Sequence, residues 1–307
     1  MEVQQSSSAV LMIRPHRFYP NPETAADNAF QRAVEAGEWP AVSAAAQREF
    51  EAAVETLRAA GVTVHVVDDT ATPEKPDAVF PNNWFSTHHD GRVALYPMYS
   101  AARRRERRPD VLDELRQHYR ITEVIDYSSC EEQGHCLEGT GSLVLDHVNQ
   151  LAYASLSQRT HVEVLERFCS DFGYEPVKFR SVSADGQPIY HTNVMMCVGS
   201  GFALLGTDCI PDEAERVGVQ NLLEATGHEV IELSQEQIAE FAGNAIELHN
   251  QSGKLLVLSA RAAASLSQTQ RGTLAGFARL VPLTLPTIEL AGGSARCMIA
   301  TIHLPAL

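Results

Sequence analysis

Polar residues of unlike kinds recur along this chain at one interval, and that interval limits the fold more than composition does. Asn83, Glu138, His191, Asn244 and Cys297 each stand in a short polar stretch before an apolar strand, and successive members are 55, 53, 53 and 53 positions apart. Between them one order of elements repeats. Residues 42–60 carry Phe50, Val54 and Leu57 at helical spacing, Gly61 stops the helix, and 62–67 alternate as a strand. The order returns with 111–119 before 121–127, 162–172 before 175–179, 214–226 before 228–233, and 270–280 before 281–285. Residues 142–146, 194–198, 246–249 and 298–302 supply the apolar strands after the polar stretches. At the N-terminal end, 9–14 reads as a buried strand closed by Pro15, and 28–34 as a further helix.

A unit of strands plus one helix hides its apolar face only against copies of itself, so five of them close into a ring. The expected fold class is therefore α/β, a five-bladed α/β propeller forming a single catalytic domain over residues 1–307. Matching positions in such a ring converge on its axis. Residues far apart in sequence are thereby brought to one central pocket.

Composition narrows the partners. A formal net charge of -15 disfavours nucleic acid and anionic membrane surfaces, which reward basic proteins through counterion release. No stretch approaches the roughly 20 apolar residues of a membrane span, and the run 9–13 is short for a signal-peptide core, so a cytoplasmic protein is expected. The six cysteines lack the dense spacing of a disulfide framework and read as reduced and mostly buried. Small amino-acid ligands remain compatible, and a monomer and a homo-oligomer are both open.

Among the five recurring residues, three carry reactive chemistry. Cys297 lies in Gly292-Gly-Ser-Ala-Arg-Cys-Met298, where the glycines allow close backbone approach and Arg296 sets a cation beside the sulfur. His191 can protonate a departing nitrogen and then take a proton from water, as a nucleophilic mechanism requires. Glu138, one unit earlier, can orient His191 and stabilise its charged form.

These residues resemble the motifs of the guanidino-modifying superfamily, which includes arginine deiminase, dimethylargininase and the glycine amidinotransferases. Glu138-Gly, His191-x-Asn193 and Gly292-Gly-x-x-Arg-Cys-Met298 are similar to its glutamate, histidine and C-terminal cysteine motifs, in that order. The resemblance runs through nearly the whole chain. It implies the five-bladed propeller, a covalent intermediate on Cys297, no metal and no cofactor.

Two departures bear on the substrate. Phe80-Pro-Asn-Asn83 stands where arginine deiminases carry Phe-x-x-Asp, and His191-Thr-Asn193 where they carry His-x-Asp. A buried guanidinium left without those carboxylates costs several kcal/mol, whereas an amide complements the C=O and N–H of a neutral ureido group. Asn83 and Asn193 therefore suit citrulline. Leu11-Met-Ile-Arg-Pro15, Asn28-Ala-Phe-Gln31 and Tyr96-Pro-Met98 also resemble the citrulline-utilisation hydrolases, which implies L-citrulline going to ornithine, ammonia and carbon dioxide. The rival readings are a deiminase of arginine or methylarginine, and a non-catalytic binding module similar to the ribosome anti-association factors of the same architecture.

The basic run Arg103-Arg-Arg-Glu-Arg-Arg108 is either a solvated helix start or, as the resemblance implies, the place where Arg103 or Arg104 holds the substrate α-carboxylate. Arg296, Asp77 and Phe80 are further candidates to contact substrate. Cys130-x5-Cys136 with His135 is rejected as a zinc site, because no second paired motif accompanies it.

Overall fold

The computed structural model describes residues 3–307. Five three-stranded sheets follow one another along the chain. The first joins β1 (Ala9–Arg14) and β2 (Thr63–Asp68) to the last strand, β15 (Ala300–Thr301). The others are β3 (Phe85–Thr87), β4 (Arg92–Leu95) and β5 (Glu123–Asp126); β6 (Val144–Asp146), β7 (Leu151–Ser155) and β8 (Glu175–Phe179); β9 (Met196–Val198), β10 (Phe202–Leu205) and β11 (Glu229–Glu232); and β12 (Ile246–Asn250), β13 (Gly253–Ser259) and β14 (Arg279–Leu283). In every sheet the middle strand, β1, β4, β7, β10 or β13, pairs antiparallel with one neighbour and parallel with the other.

A parallel pair needs a crossover, and each blade supplies a helix for it. These are α1 (Trp39–Ala59), α2 (Pro109–Arg116), α3 (Val162–Phe172), α4 (Glu213–Ala225) and α5 (Gln268–Ala275). In α3 the buried Val164, Leu165, Phe168, Cys169 and Phe172 fall on one face, and Gly173 ends the helix in the left-handed region at φ 77°. The middle strands β7 and β10 lie under helices and are buried along their whole length, so they read as apolar runs rather than alternations.

The ring closes through the chain ends. Val10 and Leu11 of β1 pair antiparallel with Thr301 and Ala300 of β15, so the first blade borrows its inner strand from the C-terminal end. Ser7 bridges Leu248 of β12, joining the first blade to the fifth. The inner strands of neighbouring blades, such as β15 with β3 and β6 with β9, lie against each other around the axis.

The repeat expected from sequence is the repeat observed, with two local corrections. Residues 28–34 form no helix, because Phe30 N–H bonds the Asn28 side chain and Arg32 N–H bonds Leu290 O, where helical partners would be needed. The last helix stops at Ala275 rather than running to 280, and Arg279 and Leu280 already belong to β14.

Candidate active site

The turns before the inner strands place their polar residues at one end of the axis. Asn83 closes the turn Pro81–Asn83, Glu138 precedes the short helix Gly139–Ser142, His191 precedes the turn Thr192–Val194, and Cys297 follows the Gly292–Gly293 bend. All are buried, yet Asn83, His191 and Cys297 line one cleft with Asp77, Phe80, Arg103, Arg159 and Tyr190. Thr24 and Asn28 close it from above, on the segment between β1 and α1. Asn28 donates to Ala291 O, and Gly292, at φ 81°, brings the backbone so near Asn28 that a Cβ there would stand 2.4 Å from its Oδ1.

The Cys297 sulfur faces two amides. Asn244 Nδ2 lies 3.2 Å from Sγ and Asn193 Nδ2 3.5 Å. Asn244 is fixed in turn, since its Oδ1 accepts from the Arg296 backbone N–H at 3.0 Å and its Nδ2 also reaches Asn193 O. Sequence spacing marked Asn244 as a ring position without giving it a task.

His191 and Glu138 form the second pair. Nε2 of His191 lies 2.8 Å from Glu138 Oε2, and the other carboxylate oxygen accepts from Tyr99 N–H at 2.9 Å. Burial would raise the Glu138 carboxyl, but Arg159, His191 and Arg103 together hold it well below the usual carboxylate range. Burial lowers His191 and prevails over the opposing pull of Glu138. The imidazole is thus neutral near pH 7, with Nε2–H given to Glu138 and Nδ1 turned to the Gly141 side of the cleft.

Arg103 is part of this framework. Its Nε and one terminal nitrogen bind the Glu106 carboxylate, both at 3.0 Å, the other terminal nitrogen donates to Asn83 Oδ1 at 2.9 Å, and Phe80 O takes a further N–H. The guanidinium has no fork left for a substrate carboxylate, which corrects the expectation for this residue. Nor is it solvated. Arg104 lies outside the cleft, bound to Met98 O and paired with Glu131 at 3.4 Å. Arg296 turns away as well, into a separate cavity with His147 and His303. Asp77 remains in the cleft, accepting from Asn21 at 2.8 Å, its carboxyl raised by burial against the pull of Arg103. Phe80 packs its ring against Gly293.

Several site residues have no signature in the sequence. Arg159 reaches Asp27 through two hydrogen bonds of 2.8 and 2.6 Å, lies 3.5 Å from Glu138 and covers the Tyr190 ring at 4.5 Å. Its partners are 132 and 21 positions away, beyond any local pattern. Tyr190 Oη donates to Gly292 O at 2.6 Å, and Glu106 is pushed by burial up to about 7.

Among the described residues, Cys130 and Cys136 are not gathered with other ligands. His135 stands instead with His161 and Glu163, and its ring stacks on His161 at 3.7 Å and 8°. His65, Glu114 and His118 form a second such group on the outside of the first two blades.

Comparison with known proteins fits this geometry. A family model described as N,N dimethylarginine dimethylhydrolase, eukaryotic, matches residues 14–304. The N-terminal domain of ArgZ, an arginine dihydrolase from the ornithine-ammonia cycle in Cyanobacteria, superposes with a TM-score of 0.76 at 17% identity, covering 97% of this chain and 99% of that one. AgrE in complex with L-arginine gives 0.75 at 16%, over 97% of this chain and 40% of that one, so the chain spans about two fifths of the full-length AgrE. A dimethylarginine hydrolase, DDAH, from Pseudomonas aeruginosa, complexed with citrulline, gives 0.66 at 13%, over 98% and 99%. No curated protein sequence matches the chain. The fold, the ring of polar turns and the family match together lead to one assignment: the chain belongs to the N,N-dimethylarginine dimethylhydrolase family, hydrolases within the amidinotransferase superfamily.

Proposed function

We propose that the protein hydrolyses the ureido group of L-citrulline, with Cys297 as nucleophile, His191 as acid and base, and Glu138 as the group that orients His191. The observation that carries the substrate reading is a pair of unspent amide atoms. Asn83 Nδ2 and Asn193 Oδ1 are both buried without a hydrogen-bond partner. Asn83 lines the cleft and Asn193 touches the Cys297 sulfur. Arg103 donates to Asn83 Oδ1 and so turns Nδ2 outward as a donor. Leaving such atoms unpaired costs about 1–3 kcal/mol each. A ureido group offers one carbonyl to the donor and N–H groups to the acceptor, and it brings no charge.

In this reading the Cys297 thiol gives its proton to neutral His191 as the sulfur bonds to the ureido carbon, and His191 passes that proton to the nitrogen of ornithine as its bond to that carbon breaks. The S-carbamoyl enzyme that remains reacts with water, which gives a proton to His191. His191 returns that proton to the sulfur as thiol and carbamic acid separate, and the carbamic acid falls to ammonia and carbon dioxide. Asp77, at the edge of the cleft, suits the substrate ammonium. The substrate carboxylate has no assigned partner among Arg103, Arg104 and Arg296, whose N–H groups point elsewhere.

A second reading, hydrolysis of arginine or a methylated arginine, is favoured by the name of the family model and by the carboxylates of Asp77 and Glu138 around the cleft. Assays of citrulline, arginine and dimethylarginine side by side separate the two. Rapid quenching followed by mass spectrometry should find a carbamoyl adduct on Cys297 during citrulline turnover, and Cys297→Ala should abolish both adduct and turnover. Substantial turnover by Cys297→Ala would falsify the assignment of the nucleophile.

A further inference from the structure

The axis of the ring ends in a second cavity, on the far side of the residues that hold Cys297. It measures about 50 Å³, room for a few waters at the roughly 10–15 Å³ each needs. Inner strands of all five blades line it, through Thr87, Leu145, Cys197, Glu247 and Thr301. Arg296 enters it unpaired. Among the described residues this guanidinium makes no ion pair, and its one hydrogen bond goes to Ile299 O at 2.7 Å. Burial lowers it to about 10, and only the Cys297 and Cys197 thiols act in the opposite sense. Glu247, the carboxylate in the lining, is engaged by the Ser200 N–H at 2.9 Å and hydroxyl at 2.7 Å.

A second observation points to a ligand. His303, more than nine-tenths buried, lines the same cavity, and its Nδ1 has no partner. His147 lies beside it, ring centroids 4.3 Å apart, its Nδ1 held by Tyr174 Oη at 2.7 Å. Arg296, His147 and His303 thus line one space. A buried cation with an open fork and neutral imidazoles beside it is complementary to an anion with two oxygens in a plane.

We infer that this cavity binds one small planar oxyanion, of the carboxylate or carbonate kind and about the size of formate or bicarbonate, on the Arg296 fork, and that its occupancy slows the reaction of Cys297. The cavity is too small for a whole amino acid. Coupling follows from adjacency, because Arg296 precedes Cys297 and its backbone N–H holds the Asn244 amide that faces the sulfur. An anion on the fork neutralises a cation beside the sulfur and so disfavours its anionic, reactive form. The binding half stands apart from the proposed function. The damping half rests only on Cys297 being a reactive thiol.

The test uses the full chain, with formate, bicarbonate and chloride added separately at constant pH and ionic strength. Formate or bicarbonate should raise the Tm by a few degrees at saturation, and chloride should not. Unequal shifts with formate and bicarbonate tell a carboxylate site from a carbonate site. The rise should vanish in Arg296→Met, and also in Thr301→Leu, which fills the cavity from β15 and leaves Arg296 in place should the first variant fold poorly. Alkylation of Cys297 by iodoacetamide, followed by peptide mass spectrometry, should slow several-fold with the effective anion in the wild type alone. Equal shifts with chloride, shifts that persist in Thr301→Leu, or no shift at all overturn the site. Binding without any change in alkylation overturns the coupling. Because alkylation needs no substrate, these outcomes stay distinct from failure of the citrulline reading.

Discussion

At Gly141 the cleft has no room for a methyl group. A Cβ there would lie 2.3 Å from Asn83 Nδ2 and 2.7 Å from His191 Nδ1, so Gly141→Ala displaces both groups that the proposed chemistry uses. A shift near 1 Å costs about 10²-fold in rate, and kcat/KM for citrulline should fall by at least that factor while the far-ultraviolet circular dichroism stays unchanged. Asn83→Asp keeps the oxygen that Arg103 holds and exchanges the outward donor for a charged acceptor. Loss of a hydrogen bond of this kind predicts a drop of about 10–10²-fold in citrulline turnover. A rise in citrulline turnover in that variant would remove the argument from complementarity. The residues that converge on the cleft were legible in sequence because each sits beside small or apolar neighbours at a fixed interval. Arg159 and Glu106 were not, since what makes them part of the site is burial against partners in other turns.

Among elements, the pairing of β1 with β15 decides whether the ring is closed. Leu11 is wholly buried at that seam, opposite Ala300. Leu11→Ala should cost about 2–5 kcal/mol, read as a lower urea midpoint with an unchanged slope. The same truncation at an exposed apolar residue such as Val217, on α4, should change stability by no more than about 0.5 kcal/mol. Helices α3 and α4 fall within a residue of their sequence expectation, because apolar spacing and terminal glycines mark them. Segment 28–34 carries similar spacing yet follows the cleft instead. Its Asn28 and Arg32 find partners near Gly292, and that tertiary demand outweighs helix propensity.

Over the whole molecule, burial leaves many histidines reluctant to accept a proton. His65, His88, His89, His147, His191 and His303 are all lowered by burial from 6.5. The unfolded chain takes up those protons as pH falls through about 6.5, and the folded chain does not, so stability rises with pH and is lost on acidification. Asp77, Glu106 and Glu289, raised by burial, act in the opposite sense but are fewer. Calorimetry between pH 7.5 and 5.5 should therefore show the Tm falling by several degrees. A flat profile would mean that these rings titrate freely in the native state.

The sequence by itself determined the five units, their order of helix and strand, and the interval that lines up Asn83, Glu138, His191, Asn244 and Cys297, because periodicity and turn residues act locally. Tertiary structure alone decided which way the side chains face. Adjacent residues such as Arg296 and Cys297 open onto opposite cavities, and Arg103 is enclosed although it lies in a run of charges. The reason is that the turn before β15, which carries Arg296 and Cys297, lies between two polar spaces, and a charged side chain is held by whichever partners the neighbouring blades bring within reach.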